Sequence, residues 1–103
     1  MFGLPDDLVE RIQRKDAEAF SVFYTKSVNR FYRYLKANYY LTDAEKDDLL
    51  SDFYLKCWTN IDKYDPMYSF ETFVRTMFRN LLKDYFKKAK EVHPDEDELI
   101  DAA

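Results

Sequence analysis

Through most of this chain the apolar residues recur at steps of three and four, and only one glycine and three prolines are available to interrupt them. That period matches one face of an α-helix, whereas short strands would alternate every second residue and need glycine-rich turns between them. The sequence therefore predicts an all-α fold, a compact bundle of about four helices. With 103 residues, 47% of them hydrophobic, it can build one small domain around one core and has no material for a second. A single cysteine excludes an internal disulfide, and no N-terminal apolar run resembles a signal peptide or a membrane span. A cytoplasmic protein with no membrane role, monomeric in isolation, is expected.

Four helices can be placed from their end signals. Pro5 suits the first turn of a short helix reaching about Arg14, with Asp6 and Asp7 where the helix dipole favours carboxylates. Asp16 can cap a long second helix to about Asn38, whose Phe20, Phe23, Tyr24, Val28, Phe31, Tyr32 and Leu35 form one apolar stripe expected in the core. Thr42 and Glu45 match a capping box for a third helix that turns Leu49, Leu50, Phe53, Cys57, Trp58 and Ile61 inward and ends near Asn60. Pro66 then breaks the pattern, and Ser69 can cap a fourth helix to about Lys88.

The charge is unevenly divided. The net charge is −4, yet residues 91–103 carry Glu91, Asp95, Glu96, Asp97, Glu98 and Asp101 without a lysine or arginine, which leaves residues 1–90 with 16 basic against 14 acidic side chains. The expected organisation is a helical domain over residues 1–90 followed by an acidic linker or tail over 91–103.

The fourth helix is two-sided. At about 100° per residue, with Arg75 at zero, Arg79 falls near 40°, Lys83 near 80°, Thr76 near 100°, Lys87 near 120° and Asn80 near 140°. Phe70, Val74, Met77, Phe78, Leu81 and Tyr85 fall between roughly 200° and 300° and should pack inward. Phe86 near 20° and Phe73 near 160° lie outside that apolar arc and border the cations. Cations that follow phosphates, set beside aromatic faces that stack on bases, suit single-stranded nucleic acid. A solvated basic face beside residual aromatic surface fits the pattern equally.

The third helix has the opposite sign, with Asp43, Glu45, Asp47, Asp48 and Asp52 against Lys46 and Lys56. Asp48 and Asp52 lie one turn apart and beyond the first turn, where like charges repel mildly and a basic partner would relieve them. No convergent ligand set accompanies these carboxylates, so no metal and no cofactor are expected. An enzyme would need Cys57 and His93 to meet, but Cys57 falls on an inward helix face and His93 lies in the acidic segment. The chain is not expected to be an enzyme.

The run Asp48-Leu-Leu-Ser-Asp-Phe-Tyr-Leu-Lys-Cys-Trp58, followed by Tyr64-Asp-Pro66, Ser69-Phe70, Arg79-Asn80 and Asp84-Tyr-Phe-Lys-Lys88, resembles region 2 of the sigma-70 family of bacterial transcription initiation factors, and within it the extracytoplasmic-function (ECF) branch. The likeness begins near Leu8 and covers residues 8–88. It implies a helical domain that docks on the coiled coil of the RNA polymerase beta-prime subunit and captures and melts the promoter −10 element. An anti-sigma factor is an implied further partner. Carried over, polymerase docking centres on Asp48, Ser51, Asp52 and Lys56. Contacts to the single-stranded non-template −10 element come from Asp65, Met67, Tyr68, Ser69, Phe70, Phe73, Arg75, Thr76, Arg79, Asn80, Lys83 and Lys87. The alternative is a non-enzymatic interaction bundle that binds polymerase or an anti-sigma factor without reading DNA.

Two departures accompany the resemblance. Phe73 stands where many members have tryptophan, and Asp65-Pro-Met-Tyr-Ser69 is short and lacks the glycine common in that loop. Members ordinarily carry a second domain, region 4, that reads the −35 element, and nothing after residue 90 supplies one. The expectation is an excised domain ending in its interdomain linker, with a naturally short chain as the alternative.

Overall fold

The computed structural model describes residues 4–92, with side chains through Lys87. Four helices follow one another: α1 (Asp6–Gln13), α2 (Ala17–Asn38), α3 (Asp43–Asn60) and α4 (Phe70–Val92), with a 3₁₀ turn at Ile61–Lys63. No strand occurs among the described residues, and the chain is the expected all-α bundle. The expected acidic linker and His93 lie, from residue 93 onward, outside the described residues.

The end signals act as expected. Asp16 accepts the N–H groups of Glu18 and Ala19 at 3.0 and 3.2 Å. Thr42 and Glu45 close a reciprocal capping box, at 2.8 Å from the Thr42 N–H to Glu45 and 3.1 Å from the Glu45 N–H to Thr42. Ser69 accepts the Thr72 N–H at 3.1 Å. Each bond satisfies a donor that the first helical turn would otherwise leave unpaired. Lys15, at φ 66, takes the left-handed conformation that closes α1. Its ammonium donates to the Trp58 carbonyl and sits 4.9 Å above the Trp58 ring, which ties the α1–α2 turn to the end of α3.

Rings set the helix directions. The pairs Phe23–Phe70, Phe31–Phe78 and Tyr39–Phe86, at 5.3, 4.7 and 5.0 Å, each advance by eight residues on both helices, so α2 and α4 run parallel. Phe53 of α3 touches Phe31 at 4.8 Å and Phe78 at 5.1 Å, so α3 packs behind the other two. It runs antiparallel to them, because Phe20 meets Trp58 while Tyr32 meets Asp43. Leu8 and Ile12 of α1 close one end of the core.

Several positions depart from the expected stripes. Tyr24 is exposed at the edge of α2, and Tyr54 is buried in its place with its hydroxyl 2.6 Å from that of Ser27. Ser27 spends its own proton on the Phe23 carbonyl, so Tyr54 is the donor, and both buried hydroxyls are satisfied. Leu82 joins the core of α4, whereas Met77 and Tyr85 are only half-buried. α4 itself continues to Val92, past the expected Lys88.

Three carboxylates are held ionised by the fold. Asp16 is lowered by the Arg11 hydrogen bond and then the Ala19 N–H, Asp43 by Lys46 and then Tyr32, and Glu45 by the Thr42 N–H and then Tyr85. The folded values lie below the ordinary 3.8 and 4.5, so the unfolded chain binds more protons in acid. The stabilisation is complete above the unfolded values and is lost as pH falls through the folded ones. The melting temperature followed by circular dichroism should therefore decline once pH drops below about 4.5, and a melting temperature unchanged down to about pH 3 would contradict this.

Candidate docking face and nucleic-acid groove

The carboxylates of α3 divide by role. Asp43 accepts the Tyr32 hydroxyl at 3.1 Å and pairs with Lys46 at 3.1 Å. Lys46 is 5% exposed, with its ammonium 4.8 Å over the Tyr32 ring, so this cation is part of the core's edge rather than of the surface. Glu45 completes the capping box and accepts the Tyr85 hydroxyl at 2.9 Å, which ties α3 to α4. Asp48 and Asp52 have no hydrogen-bond or ion-pair partner among the described residues. They share an exposed ridge with Ser51 and Lys56. Leu55 stands in the middle of that ridge, 60% exposed, and sequence reasoning missed it. Its helical angle, close to that of Asp48, was the available signal. Beside the ridge, a hollow of about 220 Å³ opens between α2 and α3, lined by Tyr24, Asp47 and Ser51 among others.

The segment before α4 is a tight turn. The Met67 N–H donates to Asp65 Oδ1 at 2.9 Å, the Tyr68 N–H donates to the Asp65 carbonyl at 3.0 Å, and the Tyr64 hydroxyl holds the Tyr68 carbonyl at 2.7 Å. This arrangement leaves Met67 90% and Tyr68 65% exposed. Phe70, which the resemblance gave to the strand while the helical angles placed it inward, is a core residue, packed edge-on against Phe23 and Tyr64. Phe73 is half-buried, 5.3 Å from Tyr64 and 6.2 Å from Phe70, so it supports the turn from behind. The side chains the turn offers to solvent are Asp65, Pro66, Met67, Tyr68 and Ser69.

Along α4, Arg75, Thr76, Arg79, Asn80, Lys83 and Lys87 are all exposed, and Arg75 pairs with Glu71 at 3.2 Å. The four cations turn toward α2, where they line a groove of about 800 Å³ shared with Arg30, Tyr34 and Tyr39. Phe31, Phe78 and Leu82 form its floor. Phe86, which the sequence placed beside the cations as a free aromatic, is half-buried with its ring stacked on Tyr39 at 5.0 Å and 28°. Thr76 and Asn80 do not line the groove and occupy the other flank of the same arc. The outer ridge of α3 faces away from the groove, because α3 packs behind its floor through Phe53.

Cys57 is 1% exposed, and burial pushes its thiol up to about 12, which keeps it protonated. No group of histidine, cysteine and carboxylate side chains that could hold a metal occurs among the described residues, and none of their helices is long and apolar enough to cross a membrane.

The bundle thus carries a cationic groove between α2 and α4 on one side and a carboxylate ridge of α3 on the other. Residues 23–92 match the profile of Sigma-70 region 2, and the chain belongs to that family. The match takes in most of α2 and all of α3 and α4, with α1 outside it. No curated protein and no solved structure matches the chain. Domains of this family are transcription initiation domains that bind RNA polymerase and act in promoter melting, and the family is not a catalytic one.

Proposed function

We propose that this chain docks on the beta-prime coiled coil of RNA polymerase through the ridge of α3 and reads the non-template −10 strand through the turn and flank of α4. The observation that carries this reading is the separation of two opposite surfaces. Asp48, Ser51, Asp52 and Lys56, with Leu55 among them, supply an acidic face with an apolar centre, suited to a basic coiled coil. The turn and α4 supply cations, exposed Met67 and Tyr68, and the Asn80 amide. An amide offers both a donor and an acceptor to a base edge, and an apolar wall shelters an unstacked base. The motifs that carry the resemblance suggest an ECF factor working in the cytoplasm, with an anti-sigma factor as a further partner. Residues 1–90 form the working domain and 91–103 the acidic connection.

Phosphate contacts position a strand while base contacts specify it, so two classes of substitution should behave differently. The test is fluorescence anisotropy with a labelled −10-like single strand and its scrambled control. We expect Asn80→Ala, or replacement of residues 65–69, to remove a preference of roughly tenfold while the salt dependence stays the same. Variants that keep the full preference would refute the pocket.

A further inference from the structure

The sequence places the nucleic-acid surface on α4 and the turn before it, but the groove is built by two helices. We propose that α2 is part of the strand-binding surface, with Arg30 as a phosphate contact and Tyr34 as a stacking platform. This rests on the nucleic-acid reading above and extends it to a helix that the reading does not use.

Five observations carry it. Arg75, Arg79, Lys83 and Lys87 recur every fourth residue, which sets neighbouring cations about 6 Å apart along the helix axis. A stacked duplex advances only about 3.4 Å per phosphate on one strand, so this spacing fits a strand drawn out of its stack. Unstacked bases need apolar surface, and the groove supplies it in the floor of Phe31, Phe78 and Leu82. Tyr34 stands above that floor, 46% exposed, with its ring edge-on to Phe78 at 5.8 Å. Its orientation is fixed by packing while its ring remains open to a ligand. Across the groove from the α4 cations, Arg30 puts positive charge on the second wall, so a strand lying between the helices meets cations on both sides. Finally, the base-reading flank shares α4 with the groove, because Thr76 and Asn80 follow Arg75 and Arg79 by one residue each.

The same groove would also accept an acidic peptide, and residues 95–98 of this chain, Asp-Glu-Asp-Glu, are such a sequence. A second copy of the chain is another conceivable occupant. The cations on both walls and the open Tyr34 ring favour the strand.

The experiment titrates a labelled single strand of about twelve nucleotides with the full chain at several salt concentrations, using wild type, Arg30→Gln, Tyr34→Ser and Asn80→Ala. Five phosphate contacts give a log-log salt slope near −3.5, and Arg30→Gln brings it to about −2.8 for every sequence alike. Tyr34→Ser weakens binding roughly tenfold and leaves the slope alone, since stacking is not an ionic contact. If Asn80→Ala abolishes sequence preference while Arg30→Gln and Tyr34→Ser bind as wild type, the groove proposal is overturned and the −10 reading stands. If wild type binds no single strand, both fall. If the α2 variants take effect only after Asp95, Glu96, Asp97 and Glu98 are neutralised to their amides, the groove belongs to the chain's own acidic segment and the proposal is overturned. It is likewise overturned if their effect follows a concentration-dependent dimer seen in sedimentation.

Discussion

A chain carrying Asp48→Lys together with Asp52→Lys should lose its affinity for core polymerase by about a hundredfold or more while its helical circular dichroism stays that of wild type. The two carboxylates project from the outer ridge of α3 and have no partner among the described residues, so the fold does not depend on them. Exposed substitutions of this kind generally change stability by no more than about 0.5 kcal/mol in either direction. Binding is another matter. Reversal turns two attractions toward a basic coiled coil into two repulsions, and like charges brought together at an interface are strongly unfavourable. Leu55, exposed between them, should act as the apolar anchor, so Leu55→Ala should weaken the complex without altering its salt dependence. Unchanged affinity of the double reversal in a pull-down would remove α3 from the interface.

The largest effect on stability is expected at Phe53. It is fully buried and meets Phe31 of α2, Phe78 of α4 and Tyr54 of its own helix at 4.8 to 5.1 Å, so three of the four helices share one ring. Phe53→Ala removes those contacts and leaves a cavity that rigid helices fill only in part, a change that costs about 3–5 kcal/mol. In a domain whose whole stability is about 5–15 kcal/mol, that lowers the melting temperature by more than about 10 °C. Met67→Ala is the matching control, since Met67 is 90% exposed and touches no core. Thermal unfolding of the two variants side by side decides the matter, and a Phe53→Ala chain that melts with wild type would show that the core is not organised around this residue.

What the sequence conveyed best was local. The capping signals at Asp16, at Thr42 with Glu45, and at Ser69 act within three residues of themselves, so their chemistry is visible in a short window, and all three are made. The apolar stripes located most of the core for the same reason. What escaped was decided by neighbours distant in sequence. Lys46 reads as a surface cation on its own helix, but Tyr32 and Asp43 together give it a buried place. Tyr54, outside the expected inward set of α3, is buried where Ser27 of α2 accepts its hydroxyl. Phe86 is outside the apolar arc of α4 yet finds Tyr39, at the far end of α2, to stack on. The candidate site divides in the same way. The angles around α4 placed its cations on one arc and Phe70 inward, but a single-helix projection could not show that Arg30 and Tyr34 face those cations.

The most direct test of the whole account is a three-component binding measurement. A labelled −10-like single strand and its scrambled counterpart are each titrated with core polymerase alone, and with core polymerase plus this chain, and anisotropy is followed. The account predicts that core polymerase alone holds both strands equally, that adding the chain creates a preference of roughly tenfold for the −10-like strand, and that the chain carrying Asp48→Lys and Asp52→Lys fails to bring that preference to the polymerase. Equal binding of the two strands in the presence of wild-type chain and core polymerase would contradict it.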